Sequence, residues 1–245
     1  MLDAGCSHLT PELEDLLGRY PERFAIEYVP NSGPYRKIIP LLDELYAGDP
    51  AALWKNLIVT ADDDTLYPTT WLRGLYAAFC AHACVVGYRG RTMVVEKGKL
   101  APYDTWERKI VRNPSGQNLL TGKDGILYSP LHLHPAVLDI RTALAVAPKA
   151  DDIWLKAHAL LARVPSAAIN RDLKQELPSI PGADDGVSLF RAFNRGGGND
   201  EALAEIGRYL RSAFGTSWEE LFADNSLPFE RVVARGLSVA RSEFV

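Results

Sequence analysis

Apolar positions recur along the first 90 residues with two alternating periods. Thr10-Pro11 places an N-cap residue before a proline at the first helical position, and Leu13, Leu16 and Leu17 follow as a stripe, which predicts a helix over 10–19. Residues 24–29 read as a strand closed by the turn-rich Pro30-Asn31-Ser32-Gly33-Pro34. Ile38, Ile39, Leu41, Leu42 and Leu45 return to helical spacing. Leu57-Ile58-Val59-Thr60 is a continuous, partly β-branched run of the kind a strand buried on both faces carries, and it leads directly into Asp62-Asp63-Asp64. A wide helical stripe on Trp71, Leu72, Leu75, Tyr76, Phe79 and Cys80 then delivers the chain to a strand at 84–88. Helix and strand in alternation predict an α/β fold with a mostly parallel sheet flanked by helices.

The second half is less regular. A strand is expected at 92–95, a polar stretch over 107–125, a helix from Asp151-Asp152, and a strand at 167–170. Residues 178–199, dense in Pro, Gly and Asp, read as a flexible loop, with two or three helices after it. The organisation expected is therefore a catalytic domain over 1–177, a loop over 178–199 and a helical C-terminal segment over 200–245 packed on the same domain.

Composition narrows the chemistry. The chain has 245 residues, 47% of them hydrophobic, so a sizeable core is within reach without cross-links. A formal net charge of -4 supplies no global positive field, and nucleic acid is not an expected partner. Cys6, Cys80 and Cys84 are an odd set without CxxC spacing, no apolar run approaches the ~20 residues of a membrane span, and Met1-Leu2-Asp3 opens no secretory signal. These features predict a cytoplasmic protein with no transmembrane segment; peripheral association with the inner face of the membrane is compatible with them.

Two acidic clusters carry the candidate chemistry. Three successive carboxylates after a buried strand repel one another unless a cation or hydrogen-bond donors compensate. In open α/β sheets the crevice beyond the strand ends is where ligands bind. Asp62 and Asp64, one residue apart, can face one side and share a hard divalent ion with diphosphate oxygens; the plainer alternative is a solvated turn or cap before the helix at 69–83. Asp151-Asp152 opens an amphipathic helix, where a carboxylate serves either as a general base or as a cap favoured by the helix dipole. His132 and His134 share a period of two, but no third ligand stands at zinc spacing.

Together these segments resemble bacterial glycosyltransferases of the family 2-like, GT-A type. Leu57-Ile58-Val59-Thr60-Ala61-Asp62-Asp63-Asp64-Thr65-Leu66-Tyr67-Pro68 is similar to the strand and DxD motif of that family. Thr121-Gly122-Lys123-Asp124-Gly125-Ile126 resembles its glycine-containing acceptor-side segment, Ala150-Asp151-Asp152-Ile153-Trp154-Leu155 its acidic catalytic-base motif, and Gly33-Pro34-Tyr35-Arg36-Lys37-Ile38 the segment bordering the nucleotide. The likeness runs over about 10–165, with weaker likeness at Asn194 and Asn199-Asp200 in a loop expected to close over the donor.

The resemblance implies a GT-A-like fold and a metal-dependent, inverting transfer of a sugar from a nucleotide-diphosphate donor, a UDP-sugar foremost. The acceptor would be a glycan or related hydroxyl, as in bacterial surface-polysaccharide synthesis. It implies Mn²⁺ or Mg²⁺ as cofactor, with Asp64 and Asp62 as ligands, and Asp62, Asp63 and Tyr35 on the donor side. Asp152 would be the general base, Asp151 would orient the acceptor, and Gly122, Asp124 and Gly125 would lie on the acceptor side. Lys37 is a candidate phosphate contact or a surface lysine, and Arg89 faces the donor or pairs with an acidic neighbour.

The family opens with a strand that holds the nucleotide base, and Met1-Leu2 leave room only for its last residues, so the resemblance predicts a natural chain longer at its N-terminus. Two other classes fit parts of the pattern. Haloacid-dehalogenase-type phosphatases also place Asp-x-Asp after a strand, although they want Thr or Val where this chain has Leu66. A catalytically degenerate domain that binds a glycan or a partner is the third.

Overall fold

The structure, a computed structural model, describes residues 2–3, 9–172, 174–181 and 197–224. In chain order its helices are α1 (Pro11–Arg19), α2 (Ile39–Ala47), α3 (Pro50–Lys55), α4 (Trp71–His82), α5 (Ile140–Val146), α6 (Asp151–Leu161), α7 (Gly198–Phe214) and α8 (Trp218–Asp224). The strands are β1 (Leu2–Asp3), β2 (Tyr28–Val29), β3 (Ile58–Thr60), β4 (Val85–Gly87), β5 (Gly90–Thr92), β6 (Val95–Glu96), β7 (Lys99–Leu100), β8 (Asn118–Leu120), β9 (Ile126–Tyr128) and β10 (Ser166–Ala168).

The central sheet has the order β10-β4-β9-β3. Only the β10–β4 pairing is parallel; β9 runs against both neighbours, placing Ile126 opposite Thr60 and Tyr128 opposite Ile58. The expected mostly parallel sheet is thus corrected to a mixed one. Three of the four strands share a direction, and between β4 and its antiparallel neighbour β9 the chain forms no α-helix of the kind that carries a parallel crossover. This reversal places the start of β9 beside the end of β3, so the turn before β9 lies next to the acidic cluster after β3.

The core behind the sheet is built by α4 and α6. Ile153, Trp154, Leu155, Ala157, Ala159 and Leu160 of α6 are all buried, together with Val85, Val86, Ile126 and Leu127 of the sheet. Helix α7 closes the far side of α6 through Ala202, Leu203, Ile206 and Leu210. Around the junction, the Trp154 ring lies 4.2 Å from His158 and 5.0 Å from Tyr209.

Several element boundaries differ from expectation. The strand over 24–29 reduces to β2, the one at 92–95 resolves into β5 and β6, and the polar stretch contains β8. Asn199 and Asp200 belong to the first turn of α7, where Asp200 Oδ1 accepts the Tyr103 N–H at 2.7 Å, so they are not part of a closing loop. Asn194 and most of the expected loop lie outside the described residues. Among the described residues no helix is long and apolar enough to cross a membrane.

Candidate functional site

Lys37 joins the two acidic clusters. It ends the 3₁₀ turn Gly33–Lys37, and its Nζ lies 3.0 Å from Asp62 Oδ1 and 3.1 Å from Asp151 Oδ2. Asp62 follows β3, and Asp151 and Asp152 open α6, so two separate elements converge on an ammonium group carried by a third. The turn before β9 completes the centre: the Gly122 N–H donates to Asp152 Oδ2 at 3.0 Å. A Cβ on Gly122 would stand 3.0 Å from Asp152 Oδ1 and 3.2 Å from Lys37 Nζ, so a side chain there would press on both groups.

The electrostatics are dominated by burial. Asp152 Oδ1 is sealed from solvent without a hydrogen-bond partner, and its carboxyl is pushed up to about 7 by desolvation and by the neighbouring Asp151 charge, against the pull of Lys37 and the Gly122 amide. Burial alone would lower Lys37, yet the charges of Asp151, Asp152 and Asp62 prevail and hold it well above the usual lysine range. A group titrating near neutrality and fixed by a backbone donor is suited to take up a proton at physiological pH. Tyr128, missed in the sequence, is 3% exposed in the same surroundings, with its phenol raised by burial first and then by Asp152 and Asp151.

The loop after β3 is tied to the turn before β9 by Tyr67. Its hydroxyl accepts the Asp62 N–H at 2.8 Å and donates to Lys123 O at 2.9 Å, while the neighbouring Trp71 Nε1 donates to Asp124 O at 2.9 Å. Gly125, at φ 94°, lies where a Cβ would collide with the Trp71 ring at 2.4 Å. Neither aromatic was singled out as a site residue from the sequence, because their role is to fasten two loops that are distant along the chain.

As a metal site, the cluster offers two carboxylates. Lys37 takes Oδ1 of Asp62, and the Thr65 hydroxyl donates to Oδ1 of Asp64 at 3.0 Å. The second oxygen of each is left for a hard cation. No group of three His, Cys, Asp or Glu side chains able to hold a metal occurs among the described residues. Carboxylate oxygens are of the type a hard cation takes, and Asp62 and Asp64 alone would leave most of its coordination to other ligands. Asp63 is exposed at the tip of the loop.

Other predicted residues have structural partners. Tyr35 is fully buried, and its hydroxyl donates to Ala147 O at 2.7 Å. Asp124 is fully buried against Arg89, Nε to Oδ2 at 2.8 Å; burial raises its carboxyl while Arg89 and the facing Leu177 amide pull it down. The acidic-neighbour alternative for Arg89 is the one observed. His132 and His134 turn their Nδ1 atoms to the Ser129 and Ala136 amides at 3.3 and 3.2 Å, capping short 3₁₀ turns.

A second lysine departs from what its position suggests. Lys156, one turn after Asp152 on α6, is 4% exposed and donates to Ser166 Oγ at 3.2 Å. Desolvation lowers its ammonium to about 7. Asp152, Lys156, Tyr128 and Ser166 all border an interior void of about 10 Å³, roughly the space of one water. No family model matches the chain, and neither does any curated protein or solved structure.

Proposed function

We propose that the chain is a metal-dependent, inverting glycosyltransferase that moves a sugar from a nucleotide-diphosphate donor to a hydroxyl acceptor. The observation that carries this reading is the convergence of Asp62 and Asp151 on Lys37 beside an Asp152 held by the Gly122 amide. A strand-end carboxylate pair and a carboxyl poised near neutrality are the two parts that such a transfer needs.

In this reading Asp152 takes the proton from the acceptor hydroxyl as its oxygen bonds to the anomeric carbon. The bond from that carbon to the diphosphate oxygen breaks on the opposite face, which inverts the configuration. Asp151, fixed by Lys37, holds its carboxylate beside the base and favours the base's proton uptake through like-charge repulsion. Asp62 and Asp64 would hold a divalent cation, which when bound offsets the charge developing on the leaving diphosphate. The Tyr67 link keeps Asp62 and the turn before β9 in fixed relation during the reaction.

The test is release of nucleoside diphosphate from a panel of sugar nucleotides with Mn²⁺, comparing the natural chain with Asp152→Asn and Asp64→Asn. The reading expects metal-dependent release that both substitutions reduce by about a thousandfold. Equal turnover in all three proteins overturns the site assignment, and release of phosphate from simple phosphoesters instead of nucleotide overturns the reaction class.

A further inference from the structure

Arg89 and Lys123 converge on one exposed oxygen. Arg89 NH1 lies 3.1 Å from Glu176 Oε2, and Lys123 Nζ lies 3.6 Å from the same atom. The Glu176 side chain is 52% exposed, whereas the Arg89 side chain is 13% exposed and Asp124 is fully enclosed. Asp124 already gives Arg89 a buried counter-charge, Nε to Oδ2 at 2.8 Å. The edge turned to Glu176 therefore belongs to a different kind of contact: two cations forked on an acceptor that reaches solvent, the geometry in which phosphate oxygens are held.

Glu176 reaches this position on a short segment that crosses the acidic loop. The Leu66 N–H donates to Pro178 O at 2.8 Å, the Ile180 N–H donates to Asp64 O at 2.8 Å, and Asn170 Nδ2 donates to Gln175 O at 2.8 Å. The segment thus meets the acidic loop through its backbone, and the Lys123 carbonyl is joined to the backbone of Asp62 through the Tyr67 hydroxyl. An ion pair to a half-exposed carboxylate is weak, so a more highly charged oxyanion can replace it.

We propose that Arg89 and Lys123 form a seat for a phosphate or diphosphate group, that Glu176 occupies this seat as an internal substitute, and that a phosphate-bearing ligand enters by displacing it. The seat holds an anion whichever bond is later broken, so it stands or falls separately from sugar transfer. Displacement frees 174–181 from its carboxylate anchor while Asp124 keeps Arg89 in place.

Titration calorimetry with inorganic pyrophosphate, in chelator so that no divalent metal contributes, tests the seat. Glu176→Gln removes the competing charge from an exposed side chain and is expected to bind pyrophosphate about tenfold more tightly than the natural chain. Adding Lys123→Gln to that variant is expected to cancel the gain. Amide exchange at Leu66 and Ile180 is expected to quicken when pyrophosphate binds the natural chain. Uridine diphosphate run in parallel separates the sources: a gain for pyrophosphate alone identifies free phosphate chemistry, a gain shared by both probes identifies a seat that also takes a nucleotide-borne diphosphate, and a gain for the nucleotide alone overturns the proposal. Unchanged affinity for both probes in Glu176→Gln, no binding of either at millimolar concentration, or a gain that survives Lys123→Gln overturns the proposal. A chain inactive in sugar transfer that still shows the gain retains the seat and loses only the transfer reading.

Discussion

The first two turns of α6 each bury an ionisable side chain, with opposite chemical outcomes. Asp152, in the first turn, has a backbone donor at Gly122 and the Lys37 ammonium nearby, yet burial and Asp151 raise it to about 7. Lys156, in the second turn, has a serine hydroxyl and no carboxylate in hydrogen-bonding contact among the described residues, and burial lowers it to about 7. Lys37 shows the other possibility, because three carboxylates around it outweigh desolvation. Whether a buried lysine keeps its proton is thus decided by its neighbours and not by depth alone.

The largest expected effect comes from Asp152→Asn. Asparagine keeps an oxygen for the Gly122 N–H but cannot accept a proton, so turnover falls by about a thousandfold, and the rise in rate of the natural chain through pH 7 disappears from the profile. The same variant has a stability signature. A carboxyl raised from 3.8 to about 7 on folding contributes stability that is present below 3.8 and lost as pH rises through 7, so urea unfolding of the variant is flatter over that window.

Lys37→Met removes the cation shared by Asp62 and Asp151 and should destabilise the fold by about 3 kcal/mol in urea unfolding at pH 7, because two carboxylates lose their counter-charge. Lys156→Met has the opposite sign. A lysine lowered from 10.5 to about 7 makes stability rise with pH between those values, so methionine should stabilise the chain at pH 7 by about 2 kcal/mol and abolish that rise. Equal losses in the two lysine variants would break the comparison. The smallest effect is Ser166→Ala, which deletes the acceptor of Lys156 and should lower the thermal midpoint by about 3 °C, corresponding to ~1 kcal/mol.

The sequence exposed the pieces of the centre more clearly than their joints. Leu57-Ile58-Val59-Thr60 is legible as a strand because a β-branched apolar run before a charged loop has few other uses, and Asp151-Asp152 marks a helix start because acidic residues suit that dipole end. The direction of Ile126-Leu127-Tyr128 is not legible, since a short apolar run carries no sign of which way its neighbours run. Strand β8 hides in a polar stretch because Asn118, fully buried, satisfies its amide on Arg112 O and Ser166 O, each at 2.8 Å. Nothing local in the sequence announces that Lys156 is buried against Ser166. Asn199-Asp200 reads as loop because glycines precede it, whereas Gly197 serves as the left-handed cap that starts α7.

Gly122 has a consequence for how this centre tolerates change. Its hydrogen atoms face Asp152 and Lys37 at distances where even a methyl group crowds both, so the smallest possible substitution there acts on the proton acceptor and its counter-ion at once. Asp63 and Glu176, by contrast, are exposed, and side chains there can be exchanged without moving the interior. The absence of one carbon atom thus lets a backbone amide reach the proton acceptor and its counter-ion together.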